Sequence, residues 1–150
     1  MTLQILEDAR ERPELFCWAG ALNFEQLSGW SSRNSLVLVP ELFHLLSVTG
    51  GGDMFETETI LMPFSGQQTG DNAEEANAFH RQQGLPKHLW LFHVGIVLSA
   101  VDQRDARVVT VSEHYGIRGE YPSLDHWYVT VIRDEYAGRY GLARSELKPG

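Results

Sequence analysis

Leu89-Trp90-Leu91-Phe92-His93-Val94-Gly95-Ile96-Val97-Leu98-Ser99-Ala100-Val101-Asp102-Gln103-Arg104-Asp105-Ala106-Arg107-Val108-Val109-Thr110-Val111 is the stretch that decides the fold. Two runs rich in β-branched and aromatic residues, Leu89 to His93 and Ile96 to Val101, are broken at Gly95. A third, Arg107 to Val111, follows a turn through Asp102-Gln103-Arg104-Asp105. The second and third runs alternate like the arms of a hairpin, and Asp is a common turn residue. Antiparallel strands at the centre of the chain are therefore expected.

Helical patterns flank these strands. On the C-terminal side Ser123 is an N-cap, and Leu124, Trp127, Tyr128, Val131 and Ile132 make a stripe at helical period, continued by Tyr140. This face should bury against the sheet, and Trp30 and Trp90 join Trp127 in the core. The tail after Leu142 is expected to fray. On the N-terminal side Asn72 to Gln83 reads as a helix with Asn72 and Glu75 at capping-box spacing. A polar loop, Ser65 to Asp71, precedes it, and Thr57 to Met62 reads as a strand. Pro40 to Leu46 reads as a helix entered through proline and stopped by Gly50-Gly51-Gly52, where positive φ is expected. Nearer the start, Leu3 to Glu11 is a short helix capped by Thr2, Leu15 to Trp18 a short strand or coil, and Asn23 to Trp30 one or two helical turns. The sum is one α+β domain over residues 1–150, a single mostly antiparallel sheet flanked by helices.

Charge narrows the function. The formal net charge is −8, which argues against binding nucleic-acid phosphates. Between Arg33 and Arg81 the sequence has no Lys or Arg but seven acids: Glu41, Asp53, Glu56, Glu58, Asp71, Glu74 and Glu75. Six of these, Asp53, Glu56, Glu58, Asp71, Glu74 and Glu75, are candidates for an acidic face that steers in a basic protein partner. Ordinary solvated surface is the competing reading. No apolar run reaches the roughly 20 residues of a membrane span. Charges interrupt the first twelve residues where a signal peptide would be apolar, so the cytoplasm is the expected compartment.

Chemical motifs are sparse. The six histidines lack metal-ligand spacing, so no metal or cofactor is expected. His88 and His93 flank the Leu89-to-Phe92 run, so one of them could cap or line a sheet edge. No serine sits in a Gly-x-Ser-x-Gly elbow. The triple glycine follows a helix and leads into a strand, the reverse of a phosphate loop. The one cysteine, Cys17, lies in Leu15-Phe16-Cys17-Trp18 and reads as a buried hydrophobe. No catalytic residue is nominated.

One resemblance runs through these elements. Val39-Pro40-Glu41-Leu42-Phe43-His44-Leu45-Leu46 into Thr49-Gly50-Gly51-Gly52 is similar to the proline-led helix and glycine turn of the SUKH superfamily, which includes Smi/Knr-type regulators and bacterial immunity proteins. Glu58-Thr59-Ile60-Leu61-Met62-Pro63 resembles the next strand of that family. Leu91 to Val101-Asp102, followed by Val108-Val109, resembles its Phe-led strand, Asp-containing turn and following strand. The likeness covers roughly residues 30 to 140 as an ordered set, with Thr49 where many members have Asn. It implies an α+β fold without known enzymatic chemistry and a role in binding proteins, in bacteria often a toxin domain. A regulatory or scaffolding role on the same fold, and an enzyme with an unrecognised cleft, stay open at this level. So do the partner, the oligomeric state and the strand order.

Overall fold

The computed structural model describes residues 2–64 and 71–143. Residues 65–70, expected as a loop, and the tail from 144 lie outside them. In chain order the elements are α1 (Gln4–Glu11), a 3-10 turn (Pro13–Leu15), β1 (Phe16–Trp18), α2 (Phe24–Arg33), α3 (Pro40–Thr49), β2 (Gly52–Met54), β3 (Glu58–Ile60) and α4 (Ala73–Gln82). These are followed by β4 (Leu89–Val94), β5 (Leu98–Asp102), β6 (Arg107–Val111), β7 (Ile117–Tyr121), α5 (Leu124–Trp127), a π-helical segment (Tyr128–Arg133) and α6 (Asp134–Tyr140). The seven strands lie in sequence order, each antiparallel to the next. The fold is α+β, one antiparallel sheet flanked by helices, as the patterns predict.

Three of the helices, α2, α4 and α5, start where a side chain serves their free N–H groups. Asn23 and Gln26 form a full capping box on α2, and the Asn72 and Ser123 side chains accept from Glu75 and His126 N–H. Thr2 is not a cap: Leu3 holds that position on α1 without a side-chain bond. At the end of α3, Gly50, Gly51 and Gly52 all have positive φ (72°, 81° and 145°). A Cβ on Gly50 would come 2.1 Å from Gly20 O and one on Gly52 would come 2.2 Å from Cys17 O. The glycines therefore let the chain reverse and let β1 lie against β2.

The pleat sends alternate residues to opposite faces. One register row, Trp18, Gly52, Ile60, His93, Ser99, Thr110 and Gly119, crosses the whole sheet. Trp127 packs on this face, its ring 5.1 Å from the His93 ring. The next row over, Cys17, Asp53, Thr59, Val94, Leu98, Val111 and Ile117, faces the other way. It is largely open: Cys17 and Ile117 are exposed, and Asp53, Thr59, Val94 and Leu98 half-buried. Cys17 is thus a surface residue, contrary to expectation, because β1 is a three-residue edge strand that shows its odd position to solvent.

Where β3 ends, α4 takes over beside β4. Asn77, fully buried, donates to Leu91 O at 3.0 Å and accepts from Leu91 N at 2.7 Å. A side-chain amide thus replaces a missing strand neighbour, so neither backbone group is left unpaired. The Trp30, Trp90 and Trp127 side chains are all buried, as expected.

The C-terminal stripe follows the prediction at Leu124, Trp127, Tyr128 and Ile132 and departs from it at Val131. A straight α-helix continues it to Val131, but the π segment adds one residue to the turn. Val131 is pushed partly into solvent, while Val129, Ile132 and Tyr136 are buried. The insertion has a cause in Asp8, a buried carboxylate on α1. Its Oδ2 accepts from Tyr128 Oη at 2.6 Å and from Arg133 Nε at 2.8 Å. Positions five apart are turned by about 140° in an α-helix, but share a face where hydrogen bonds run i to i+5.

Trp127 is 0% exposed and combines ring packing with a hydrogen bond to Ser99 Oγ. We predict that Trp127→Ala loses about 3–5 kcal/mol of stability in urea unfolding; Phe24→Ala, at 69% exposure, should lose less than about 1 kcal/mol. Equal losses would show that Trp127 lies outside the core.

Candidate functional site

Two polar centres emerge from this architecture, one buried and one open. The buried one is built on Glu58. Its register partner on β2 is Met54, so it points to the covered face, and it is 1% exposed. Its Oε1 accepts from His93 Nε2 at 2.8 Å and its Oε2 from Tyr136 Oη at 2.6 Å, and Ile96 N–H reaches both oxygens at 3.1 Å. Gly95 makes the seat: a Cβ there would stand 2.1 Å from Oε1.

The network fixes the proton positions. Trp127 Nε1–H can only donate, and Ser99 Oγ accepts it at 2.9 Å. The Ser99 hydroxyl then donates to His93 Nδ1 at 2.9 Å, and His93 Nε2–H donates to the Glu58 carboxylate. Burial pushes His93 below its ordinary value, partly offset by Glu58, so the ring is neutral. Burial alone would raise Glu58, but the bonds from His93 and Tyr136 outweigh it and hold the carboxyl below its usual range. The Tyr136 phenol is pushed up by burial and by the Glu58 bond, so it stays a donor.

Serine, histidine and glutamate in a row invite comparison with a hydrolase triad. In a triad the serine faces Nε2 and the acid faces Nδ1; here the two are exchanged. Ser99 is also 0% exposed, beneath Trp127, so a substrate has no route to its Oγ. The row is a fastening between sheet and helix.

Glu58 is therefore removed from the acidic face. The other five acids divide. Glu56, in the β2–β3 turn, is exposed and accepts from Tyr140 Oη at 3.3 Å, which turns it toward α6. Asp53 lies on the open row and accepts from Thr59 Oγ1 at 2.8 Å. Asp71 sits close by: burial raises its pKa, and the Asp53 charge raises it further. Glu74 and Glu75 follow in the first turn of α4, both exposed, where the helix dipole favours negative charge. Glu74 accepts from Asn34 Nδ2. The fold thus joins the Asp53 and Asp71 clusters but leaves out Glu58 and turns Glu56 aside.

Among the described residues, none of Asp53, Glu56, Asp71, Glu74 and Glu75 pairs with a Lys or Arg. At the far side of the sheet the acids are neutralised. Asp102, in the predicted turn, is held at about 2 chiefly by the Arg104 guanidinium. Arg107 joins Asp102, Asp105 and Glu120. A cleft of about 420 Å³ opens there, lined by Glu41, Arg107, Glu120, Tyr121 and Ser123 among others. Its polar groups serve the fold: Glu41 Oε1 accepts from Leu124 N, and Ser123 Oγ from His126 N.

Among the described residues there is no group of three or more His, Cys, Asp or Glu that could hold a metal, and no helix long and apolar enough to cross a membrane. No protein-family model matches the chain, and no curated protein matches it.

Gly95→Ala should displace Glu58 and leave its partners short of an acceptor, a loss of about 1–3 kcal/mol in chemical denaturation; unchanged stability would show that the seat is not tight. For the open centre, Asp53→Asn should lower the Asp71 pKa in a carboxyl NMR titration, because one like charge is removed. An Asp71 titration indifferent to the substitution would separate the two groups.

Proposed function

We propose that this chain is a non-enzymatic protein-binding domain of SUKH type, an immunity protein that neutralises a basic toxin domain by direct binding. One observation carries this reading. Asp53, on the open row of the sheet, and Asp71 lie close enough to repel each other, and among the described residues neither pairs with a Lys or Arg. Glu74 and Glu75 extend the negative charge along α4.

Like charges held close together at a surface cost stability, and a cationic partner would relieve that repulsion on docking. Val94 and Leu98 continue the row beyond Thr59 as half-buried apolar surface. Acid at one end and apolar surface at the other suits a protein interface, in which charge sets the encounter rate and apolar contact the lifetime. The α+β sheet with flanking helices and the element order quoted for residues 30 to 140 are compatible with the family reading. A nuclease-type toxin suits the charge, since a protein that grips nucleic-acid phosphates is itself basic.

The test begins with pull-down of the partner by the full chain. Association rates are then measured across ionic strength for wild type and for Asp53→Asn with Asp71→Asn. At low salt the double variant should associate about tenfold more slowly. Its rate should also depend less on salt, because surface charges are screened over about 8 Å at physiological ionic strength. An acidic partner, or identical rates at every salt concentration, would reduce these acids to ordinary solvated surface.

A further inference from the structure

We propose that α6 is a proton-sensitive strap, closed over the β2–β3 hairpin while His93 is neutral and Glu58 ionised, and opened when this buried pair takes up a proton. The inference does not depend on the identity of any partner.

The strap grips through two tyrosines, both on the hairpin tip. Tyr136 Oη meets Glu58 Oε2 at 2.6 Å and Thr57 Oγ1 at 2.9 Å, and its ring stacks on Phe55 with centroids 5.0 Å apart. Tyr140 reaches Glu56 through its hydroxyl, and its ring lies 5.7 Å from Phe55. A further tie is Arg12 Nη1 to Tyr140 O at 2.6 Å. Tyr136 is the only α6 residue that is buried.

The hairpin tip beneath this grip has an uncommon backbone. Phe55 and Glu56 have φ of 52° and 69°, the left-handed region that a bulky non-glycine residue seldom adopts. Phe55 is nevertheless fully buried, pressed between Phe16 and Tyr136.

Protons couple to the same contact. The groups facing His93 are Glu58 from β3, Ser99 from β5 and Trp127 from α5. Those facing Glu58 are His93 from β4, Tyr136 from α6 and the Ile96 N–H. The nearest cation from α6 is Arg139, over the Tyr136 ring at 5.4 Å. In the closed state His93 Nδ1 already accepts the Ser99 proton, and Ser99 already accepts Trp127. A second ring proton would leave the Ser99 hydroxyl without an acceptor in a dry site. With Tyr136 withdrawn, water reaches Glu58 and His93, and the imidazole can titrate at its ordinary value.

The sign follows from the depressed value in the closed form. Above about pH 6.5 neither form binds the proton and closure is fully favoured. As pH falls below that, the open form binds one more proton, so its population rises up to tenfold per pH unit until the closed-state value is passed. Glu58, also depressed, extends the effect into the carboxylate range.

Hydrogen exchange on the full chain between pH 7.5 and pH 5.5, corrected for intrinsic rates, tests this. The opening constant of the α6 amides should climb toward tenfold per pH unit below about 6.5, while β5 and β6 amides change less than twofold. Tyr136→Phe should raise α6 opening already at pH 7.5 and bring the His93 ring resonances to a titration nearer the ordinary value. His93→Gln should abolish the pH slope. Parallel acceleration of α6 and sheet amides, a slope that persists without His93, or a His93 ring in Tyr136→Phe that titrates as in wild type would each overturn the proposal.

Discussion

Glu58 is the carboxylate on which the C-terminal half of the fold converges. It sits on the covered face of β3 and is bonded by β4 through His93, by the β4–β5 turn through Ile96 N–H and by α6 through Tyr136. A buried carboxylate is costly unless every lone pair is served. That cost works as a specification, because any arrangement that misplaces one of these elements strands the charge. Gly95 belongs to the same constraint, since the carboxylate occupies the space its Cβ would need.

A second buried carboxylate, Asp8, does for α1 what Glu58 does for α6. It draws Tyr128 and Arg133 to one side of the C-terminal rod, which forces the π segment. The two centres are linked through that segment. The residue inserted to satisfy Asp8 shifts all later positions, so that Tyr136 is buried at Glu58 while Val131 turns outward. Changes at Asp8 should therefore be felt at Glu58, along a continuous helical segment.

The open face follows the opposite logic. Acids inside the core are matched atom for atom, and those on β5–β7 pair with Arg104 and Arg107. Asp53 and Asp71 repel each other, and no cation among the described residues pairs with either. Two such acids present a surface suited to an external positive charge, as the proposed role in protein binding requires.

Local chemistry made much of this legible from the chain. Helix starts at Asn72 and Ser123, the stop at Gly50 and the β5–β6 hairpin each depend on neighbours in sequence, and caps, positive φ and period-2 alternation can be read there. The missed strands are β2, of only three residues, and β7, Ile117-Arg118-Gly119-Glu120-Tyr121; both lack a clear apolar alternation and become strands only because a neighbour supplies hydrogen bonds. Tertiary structure alone decided the rest. Cys17 is exposed because its strand is an edge, and Glu58 leaves the acidic set because its register partner is Met54. His93 is a core residue because Glu58, 35 positions away, is there to receive its proton. The π turn has no signature in residues 128–133, since its cause is a carboxylate at position 8. A charge or a hydroxyl shows its chemistry in the sequence, but whether it faces water or a partner depends on register and packing, which the order of residues does not state.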